Sequence, residues 1–351
     1  MYTNKDTKRV YAGDVAIGGG ADISIQSMLC APAHDIRANV EQAVALEKAG
    51  CEILRVSVPD IKTLDTVYAL KSAISIPLVA DIHFDWRLAI ESVNAGIDKV
   101  RINPGNIGDE GKIKAVADVC RQKNIPIRIG VNSGSLEKEI LSKYGAPTAE
   151  AMVESGLYHI SLLEKYDFGN IVLSLKSSNV KTMYESYVKA SEVCKYPLHL
   201  GVTEAGTEGM GVIKSSAGIG GLLLRGIGDT IRISLTDDPV KEVLNAKKLL
   251  GAIGLRTGGV RFISCPTCGR TAIDLIGIAK AAEQRFANIQ KDITIAIMGC
   301  VVNGPGEARE ADLGIAGANG EGVVFKHGKI LHNKVPEDKL LDVLADEIDK
   351  L

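Results

Sequence analysis

The sequence predicts an α/β fold: a (β/α)8 barrel of the TIM type over residues 1–255, then a smaller α+β domain over 256–351. Two observations lead there. Short β-rich runs alternate with longer amphipathic stretches through the first two thirds of the chain, which is the pattern of a parallel sheet with crossover helices. Beyond the helix PVKEVLNAKKLLGAIG the texture changes to a few strands, one long helix and a hairpin.

The β-rich runs are DISIQSM (22–28), EILRVSV (52–58), PLVADI (77–82), KVRINPG (99–105), PIRIGVN (126–132), NIVLSLK (170–176), LHLGVTEAG (198–206) and TIRISLT (230–236). Between them, NVEQAVALEKAG, DWRLAIESVNAG and SYVKASEVCK carry apolar residues at three-to-four spacing. The recurrent Ala-Gly at helix ends suits a left-handed cap. Eight such units over about 250 residues match a closed barrel. An open doubly wound sheet is the alternative, although the Gly-rich stretch GMGVIKSSAGIGG follows the seventh run and fits a dinucleotide fingerprint badly. In the last part VRFISCP reads as a strand, TAIDLIGIAKAAEQRFANI as a helix and DITIAIMG as a strand. ADLGIAG follows, then the hairpin GVVFKHGKILHN turning at His327-Gly328, and a final helix from Pro336.

Composition narrows the function classes. The chain has 351 residues, is 46% hydrophobic and carries a formal net charge of −2, so it can build a sizeable core and lacks the signature of disorder. Lys and Arg are spread evenly, with no basic tail, which argues against a nucleic-acid partner. No apolar run reaches membrane length and the N-terminus has no signal-peptide pattern, so a cytoplasmic protein is expected. Seven cysteines, an odd number, point in a reducing compartment to free thiols or a metal site.

Polar residues occupy the C-terminal ends of the predicted strands, where barrel enzymes place their chemistry. They are Arg55 and Ser57; Asp81 and His83; Arg101 and Asn103; Arg128 and Asn132; Ser174 and Lys176; Thr203 and Glu204; Arg232 and Ser234. Within most strands the pairs are two apart, so both members face the same way. Inward-facing Arg is costly to bury alone. Arg55, Arg101, Arg128 and Lys176 together make sense if a multiply charged anion of diphosphate size neutralises them. The competing reading pairs each Arg with a carboxylate and merely closes the barrel. His83 beside Asp81 suits a substrate contact or proton donor, and Glu204 suits acid–base work or a substrate hydroxyl.

Cys265-Pro-Thr-Cys268 follows a strand and opens a helix, and Cys300 closes the next predicted strand in GCVVNGPGE. Parallel strand ends flanking one helix can bring the three sulfurs together, which suggests a metal. Zinc would want a fourth ligand such as His327 or His332. A 4Fe–4S cluster would leave one iron for a different ligand, with Cys30 and Glu307 the candidates. Cys51 lies at the wrong end of the barrel, and Cys120 and Cys194 lie in helices. A carboxylate-held iron is easier to vacate for a substrate oxygen than a thiolate-held one.

From GGGADISIQSM through ADIHFD, KVRINPGN, RIGVNSGS and VTEAG to SCPTCGR and MGCVVNGPGEA, the chain resembles the 4-hydroxy-3-methylbut-2-enyl diphosphate synthase family, short bacterial form, of the methylerythritol phosphate route to isoprenoids. The resemblance covers nearly the full chain. It implies an iron–sulfur oxidoreductase that opens 2-C-methyl-D-erythritol 2,4-cyclodiphosphate and removes a hydroxyl with two electrons. It implies that Cys265, Cys268, Cys300 and Glu307 ligate a 4Fe–4S cluster, making the second domain an iron–sulfur domain. Arg55, Arg101, Arg128 and Lys176 would grip the cyclic diphosphate, with Asn132, Ser234, Asp81, His83 and Glu204 around the remainder. It further implies a homodimer, its active site formed by the barrel of one subunit and the cluster domain of the other. No nicotinamide or flavin motif is present, so ferredoxin or flavodoxin is the expected electron donor. After QSM the family continues with a Thr-Asn-Thr-like stretch, whereas this chain reads Leu29-Cys30-Ala31-Pro32-Ala33-His34-Asp35, and no contact is carried over there. The rival function is a non-redox barrel lyase or aldolase acting on a sugar phosphate, with Lys176 as a Schiff-base lysine and a structural zinc in the tail.

Overall fold

This computed structural model describes residues 6–287, 289, 291–301, 306 and 308–351. The chain divides into two compact units, Met1–Leu255 and Arg256–Leu351.

The first unit opens with a short antiparallel hairpin, β1 (Val10–Ala12) and β2 (Val15–Ile17). Eight strands follow: β3 (Ser24–Met28), β4 (Ile53–Ser57), β5 (Leu78–Asp81), β6 (Lys99–Ile102), β7 (Ile127–Asn132), β8 (Ile171–Lys176), β9 (His199–Leu200) and β10 (Thr230–Ile231). They pair in the order β8-β7-β6-β5-β4-β3-β10-β9, and every pairing is parallel. Leu173 also pairs in parallel with Leu198, its N–H donating to the Pro197 carbonyl at 2.8 Å. That link joins β8 to the run entering β9 and closes the sheet on itself. The open doubly wound alternative is excluded.

Helices lie on the outer face. Gly50 ends the helix Ile36–Ala49 at φ +94°, a left-handed cap in which its N–H reaches the carbonyls of Glu47 and Leu46. Leu, Ile and Val from strands and helices form one continuous core between the two layers. Inside the barrel, Ile53, Val79 and Val172 lie at the N-terminal ends of their strands and pack against Val10, Ala12 and Ile17 of the hairpin. The hairpin therefore plugs the end of the barrel opposite the polar strand ends. Its three-residue strands are too short to show periodicity, and so the sequence pattern does not mark them.

Two expectations differ in extent. The last two runs span 198–206 and 230–236 in sequence, but regular pairing covers two residues in each. After Leu200 the chain turns away, with Glu204 at φ +52° and Gly206 at φ +103°. The Gly-rich stretch is helical rather than a phosphate loop: Glu208–Ser215, a π turn at Ser216–Gly220, then Gly221–Leu224. Burial of Gly218, Ile219 and Gly220 against the rest of the barrel overrides the low helix propensity of glycine.

The second unit is a five-stranded mixed sheet in the order β11 (Val260–Ser264), β12 (Ile293–Met298), β13 (Leu313–Ala318), β14 (Glu321–Lys326) and β15 (Lys329–Pro336). The first three are parallel, and β13-β14-β15 is an antiparallel meander whose second turn falls at His327-Gly328. The helices Leu275–Arg285 and Leu340–Asp349 cover the sheet, burying Leu275, Ala282, Leu340, Leu344 and Ile348 against Ile295, Ile297 and Ile315. Among the described residues no helix is long and apolar enough to cross a membrane.

Candidate functional site

At the C-terminal mouth of the barrel lies a cavity of about 440 Å³. Its wall includes Arg55, Asp81, His83, Arg101, Arg128, Asn132, Lys176 and Ser234, which lie on or just beyond six strands, β4 to β8 and β10. The two-residue period of a strand is the cause: positions 55, 81, 101, 128 and 176 all fall on the inward face. Glu204 behaves differently. It is exposed, sits in the left-handed region and does not line the cavity. Met28, Asn103, Ser174, Thr203 and Arg232 also stand on the wall.

The charges sort into two kinds. Asp81 is 2% exposed and takes a hydrogen bond from Arg101 Nη1 at 3.0 Å. Arg55 Nε and His83 Nε2 each lie 3.7 Å from its other oxygen. Burial pushes the Asp81 carboxyl up, but Arg55, Arg101, His83 and Arg128 outweigh it and hold the group at about 2. Burial and the neighbouring guanidiniums of Arg232 and Arg101 pull Arg55 down to about 10 against the opposing pull of Asp81. Arg232 forms a two-pronged pair with Glu242 at 3.0 Å on each arm, and Glu242 also accepts from Ser27 Oγ at 2.9 Å.

Arg128 and Lys176 are the second kind. They are 1% and 7% exposed, and among the described residues neither has a carboxylate partner. Arg128 Nε and Nη1 have no hydrogen-bond acceptor among those residues either. Burial first, then the surrounding guanidiniums, force Lys176 well below its ordinary range. Such a site is short of negative charge, and an anion entering the cavity supplies it. Two glycines make room for the long side chains. A Cβ on Gly130 would come within 2.6 Å of Arg101 Nε, and one on Gly201 within 2.8 Å of Lys176 Nζ.

The Asp81 arrangement carries its own prediction. Asp81→Asn leaves Arg55 and Arg101 without their shared carboxylate and costs about 3–5 kcal/mol of folding stability. Because the folded-state carboxyl titrates at about 2 rather than its ordinary 3.8, its contribution is complete above pH 3.8 and disappears as pH falls through about 2. Urea midpoints taken between pH 5 and pH 2 check both points, since the variant lacks that part of the acid transition. Equal midpoints for the two proteins at pH 5 would refute the assignment.

In the second unit Cys265 follows β11 and Cys300 lies two residues beyond β12, its parallel neighbour. The Gly299 N–H donates to Cys265 Sγ at 3.2 Å, so the two strand ends adjoin. Cys268 is exposed, Cys265 and Cys300 are partly so, and all three are free thiols. This donor set, sulfurs at adjoining ends of parallel strands with a backbone N–H aimed at one of them, fits iron–sulfur ligation. Among the described residues no three His, Cys, Asp or Glu side chains yet converge at ligand distance. Glu307 lies outside the described residues. Of the other candidates, His332 is engaged with Glu347 at 3.0 Å, and His327 occupies the hairpin turn at φ +47°. Cys30 is held in the barrel unit by Gln42, which accepts from its N–H at 2.8 Å and donates to its Sγ at 3.1 Å. Burial raises the Cys51 and Cys120 thiols to about 12, which makes them inert.

Sequence reasoning passed over Glu242, Lys99 and His199. Arg232 was visible at a strand end, but its partner Glu242 sits on the following helix and gave no motif. Lys99, two positions before Arg101 on the same inward face, offered the same period-two signal. His199 was hidden in a two-residue strand.

Comparison with known proteins agrees with this geometry. The family models for the GcpE TIM-barrel domain and the GcpE protein C-terminal domain match residues 7–247 and 261–350. The chain is 54% identical over 347 residues to the Clostridium perfringens 4-hydroxy-3-methylbut-2-en-1-yl diphosphate synthase (flavodoxin), covering 99% of both proteins. It is 55% identical over 344 residues to the Fusobacterium nucleatum protein of the same name, covering 98% of this chain and 97% of that one. Among solved structures, the Vibrio fischeri 7,8-dihydropteroate synthase superposes with a TM-score of 0.52 at 12% identity over 71% of this chain and 99% of that one, a likeness of barrel fold alone. With both of its units matched and more than half of its residues identical to curated members, the chain belongs to the GcpE family.

Proposed function

We propose that this chain is an oxidoreductase that converts 2-C-methyl-D-erythritol 2,4-cyclodiphosphate to 4-hydroxy-3-methylbut-2-enyl diphosphate, by ring opening and loss of one hydroxyl, in the methylerythritol phosphate route to isoprenoids. The observation that carries this reading is a barrel mouth in which Arg128 and Lys176 are buried with no carboxylate partner among the described residues, in a chain that shares its full length with synthases of that name. A cyclic diphosphate brings the missing charge.

The proposed cofactor is a 4Fe–4S cluster that Cys265, Cys268, Cys300 and Glu307 would hold, and when bound it would pass on the donor's two electrons one at a time and offer a Lewis-acidic iron. The barrel does the rest. Arg128 and Lys176 take the phosphoryl oxygens, since no carboxylate among the described residues pairs with them. Arg55 and Arg101 are held in place by Asp81, so their free N–H groups are already aimed when the ligand enters. Asn132 and Ser234 offer neutral hydrogen bonds from the same wall. His83, half exposed at the rim and 3.7 Å from Asp81, is placed to give a proton to the departing hydroxyl. Glu204, exposed on its turn, is the remaining acid–base candidate. The electron donor is flavodoxin, as the names of the relatives indicate for those proteins, with ferredoxin the substitute. The working enzyme is a homodimer in the cytoplasm.

Anaerobically purified protein should be brown, hold about four irons per chain, and form the linear diphosphate from the cyclic one when reduced flavodoxin is present. Mass spectrometry of the product decides it. Colourless protein containing zinc that cleaves a sugar phosphate without any reductant would replace this reading with the aldolase one.

A further inference from the structure

Beneath the cavity the barrel interior continues with polar groups that do not line it. Lys99 and His199 are fully buried and Gln26 is 1% exposed. Lys99 Nζ donates to Gln26 Oε1 at 3.4 Å. Lys99 touches Gln26 of β3, has Val79 of β5 as its register partner, and lies on β6 beside β7, which carries Arg128 on its inward face. The charges of Arg128 and of Arg55 on β4 act on it, and it acts in turn on His199 of β9. No carboxylate is among these neighbours. Asp81 is committed to Arg101 and Arg55, and Glu242 to Arg232. Among the described residues Gln26 Nε2, Arg128 Nε and Nη1, and both ring nitrogens of His199 have no hydrogen-bond partner.

A guanidinium keeps its proton in a protein, whereas an amine can give it up. A further cation beside Arg128 and Arg55, with no carboxylate pairing to Lys99 among the described residues, is the more costly state, so Lys99 rests as the neutral amine while the cavity is empty. Burial, then Arg128 and Arg55, set that direction. Arg128 is the link, because it lines the cavity and also faces Lys99. An anion that neutralises Arg128 from above removes the repulsive part of what keeps Lys99 uncharged, and its own negative charge offsets the burial part.

We propose that Lys99 is a positioning residue of the diphosphate site: when the anion fills the cavity, Lys99 takes up one proton from solvent and adds its charge to the anion-holding cluster from inside the barrel. No electrons move; an amine becomes an ammonium. This rests on the cavity being a diphosphate site, and the test separates the two claims.

The full-length, cluster-loaded enzyme is titrated anaerobically with methylenediphosphonate at pH 8 in buffers of different ionisation enthalpy, which yields protons taken up per anion bound. Lys99→Met should lower that uptake by about one proton and weaken binding about tenfold, while His199→Gln leaves the uptake as in the wild type. In turnover, KM rises and kcat holds. Protons taken up by Lys176 or by the probe are common to all the proteins and cancel. Equal uptake in wild type and Lys99→Met, or a loss in His199→Gln instead, overturns the proposal. Failure of the probe to bind the wild type would instead sink the diphosphate reading, and this inference with it. Should Lys99→Met not fold, wild type labelled with 13C at lysine Cε gives the same answer. Besides Lys176, which lines the cavity, a second buried lysine must move from the amine to the ammonium shift on adding the probe, and a spectrum in which only one lysine moves refutes the assignment.

Discussion

Cys265→Ser is expected to strip the visible absorbance and most of the iron from the protein and to lower turnover at least about 1,000-fold, beyond the 10–100-fold typical of groups that only support a ligand. The barrel should be untouched. The second unit has its own core of Ile295, Ile297, Leu313 and Val324, separate from the barrel core, and Cys265 is only partly buried at the end of β11. Binding of the cyclic diphosphate to the barrel should therefore survive, within a few-fold, in a variant that cannot turn it over. Iron analysis, an anaerobic visible spectrum and calorimetry on one preparation make the measurement. Full iron content in the variant would remove Cys265 from the ligand set.

Arg128→Met should show the opposite separation, with iron and colour kept and affinity for the cyclic diphosphate reduced about 100-fold or more, the usual result of deleting one side of a buried charge pair. The stability change is the more discriminating part. In the free protein Arg128 is a buried cation which, among the described residues, has two N–H groups unsatisfied and no carboxylate partner. An apolar side chain of similar length relieves that burden, so the variant should be more stable than the wild type by about 1 kcal/mol or more. Thermal melts of the two proteins without ligand test the sign. A strongly destabilised variant would mean that Arg128 is structural, paired in a way the free barrel does not show. On the proposed function, binding opposes stability at this site, because the diphosphate supplies the negative charge that the free barrel lacks among its described residues.

Much of this was legible from local pattern. The inward face of each strand follows from a period of two, and so Arg55, Asp81, Arg101, Arg128, Asn132, Lys176 and Ser234 could be assigned to one mouth once the barrel was assumed. The thiols of Cys265, Cys268 and Cys300 stood out by spacing. Other features had no local trace. Glu204 reads as the seventh member of the ring, but the chain has left the sheet after Leu200, and the side chain is on an exposed turn. The hairpin that plugs the barrel has strands of three residues, too short for any periodicity. The stretch GMGVIKSSAGIGG has the composition of a loop and is helical where Gly218, Ile219 and Gly220 are buried against the barrel.

The sequence by itself determined which residues face inward and that the mouth is cationic, because strand alternation is a property of neighbouring residues in one chain. Only the tertiary structure decided which of those cations are neutralised. Asp81 sits beside Arg101 through the pairing of β5 with β6, and Glu242 reaches Arg232 from a helix on the outer layer. Ion pairing depends on distance in space, and a few ångströms separate a structural Arg232 from an anion-seeking Arg128. That difference comes from which strands and helices adjoin, and no single run of residues contains it.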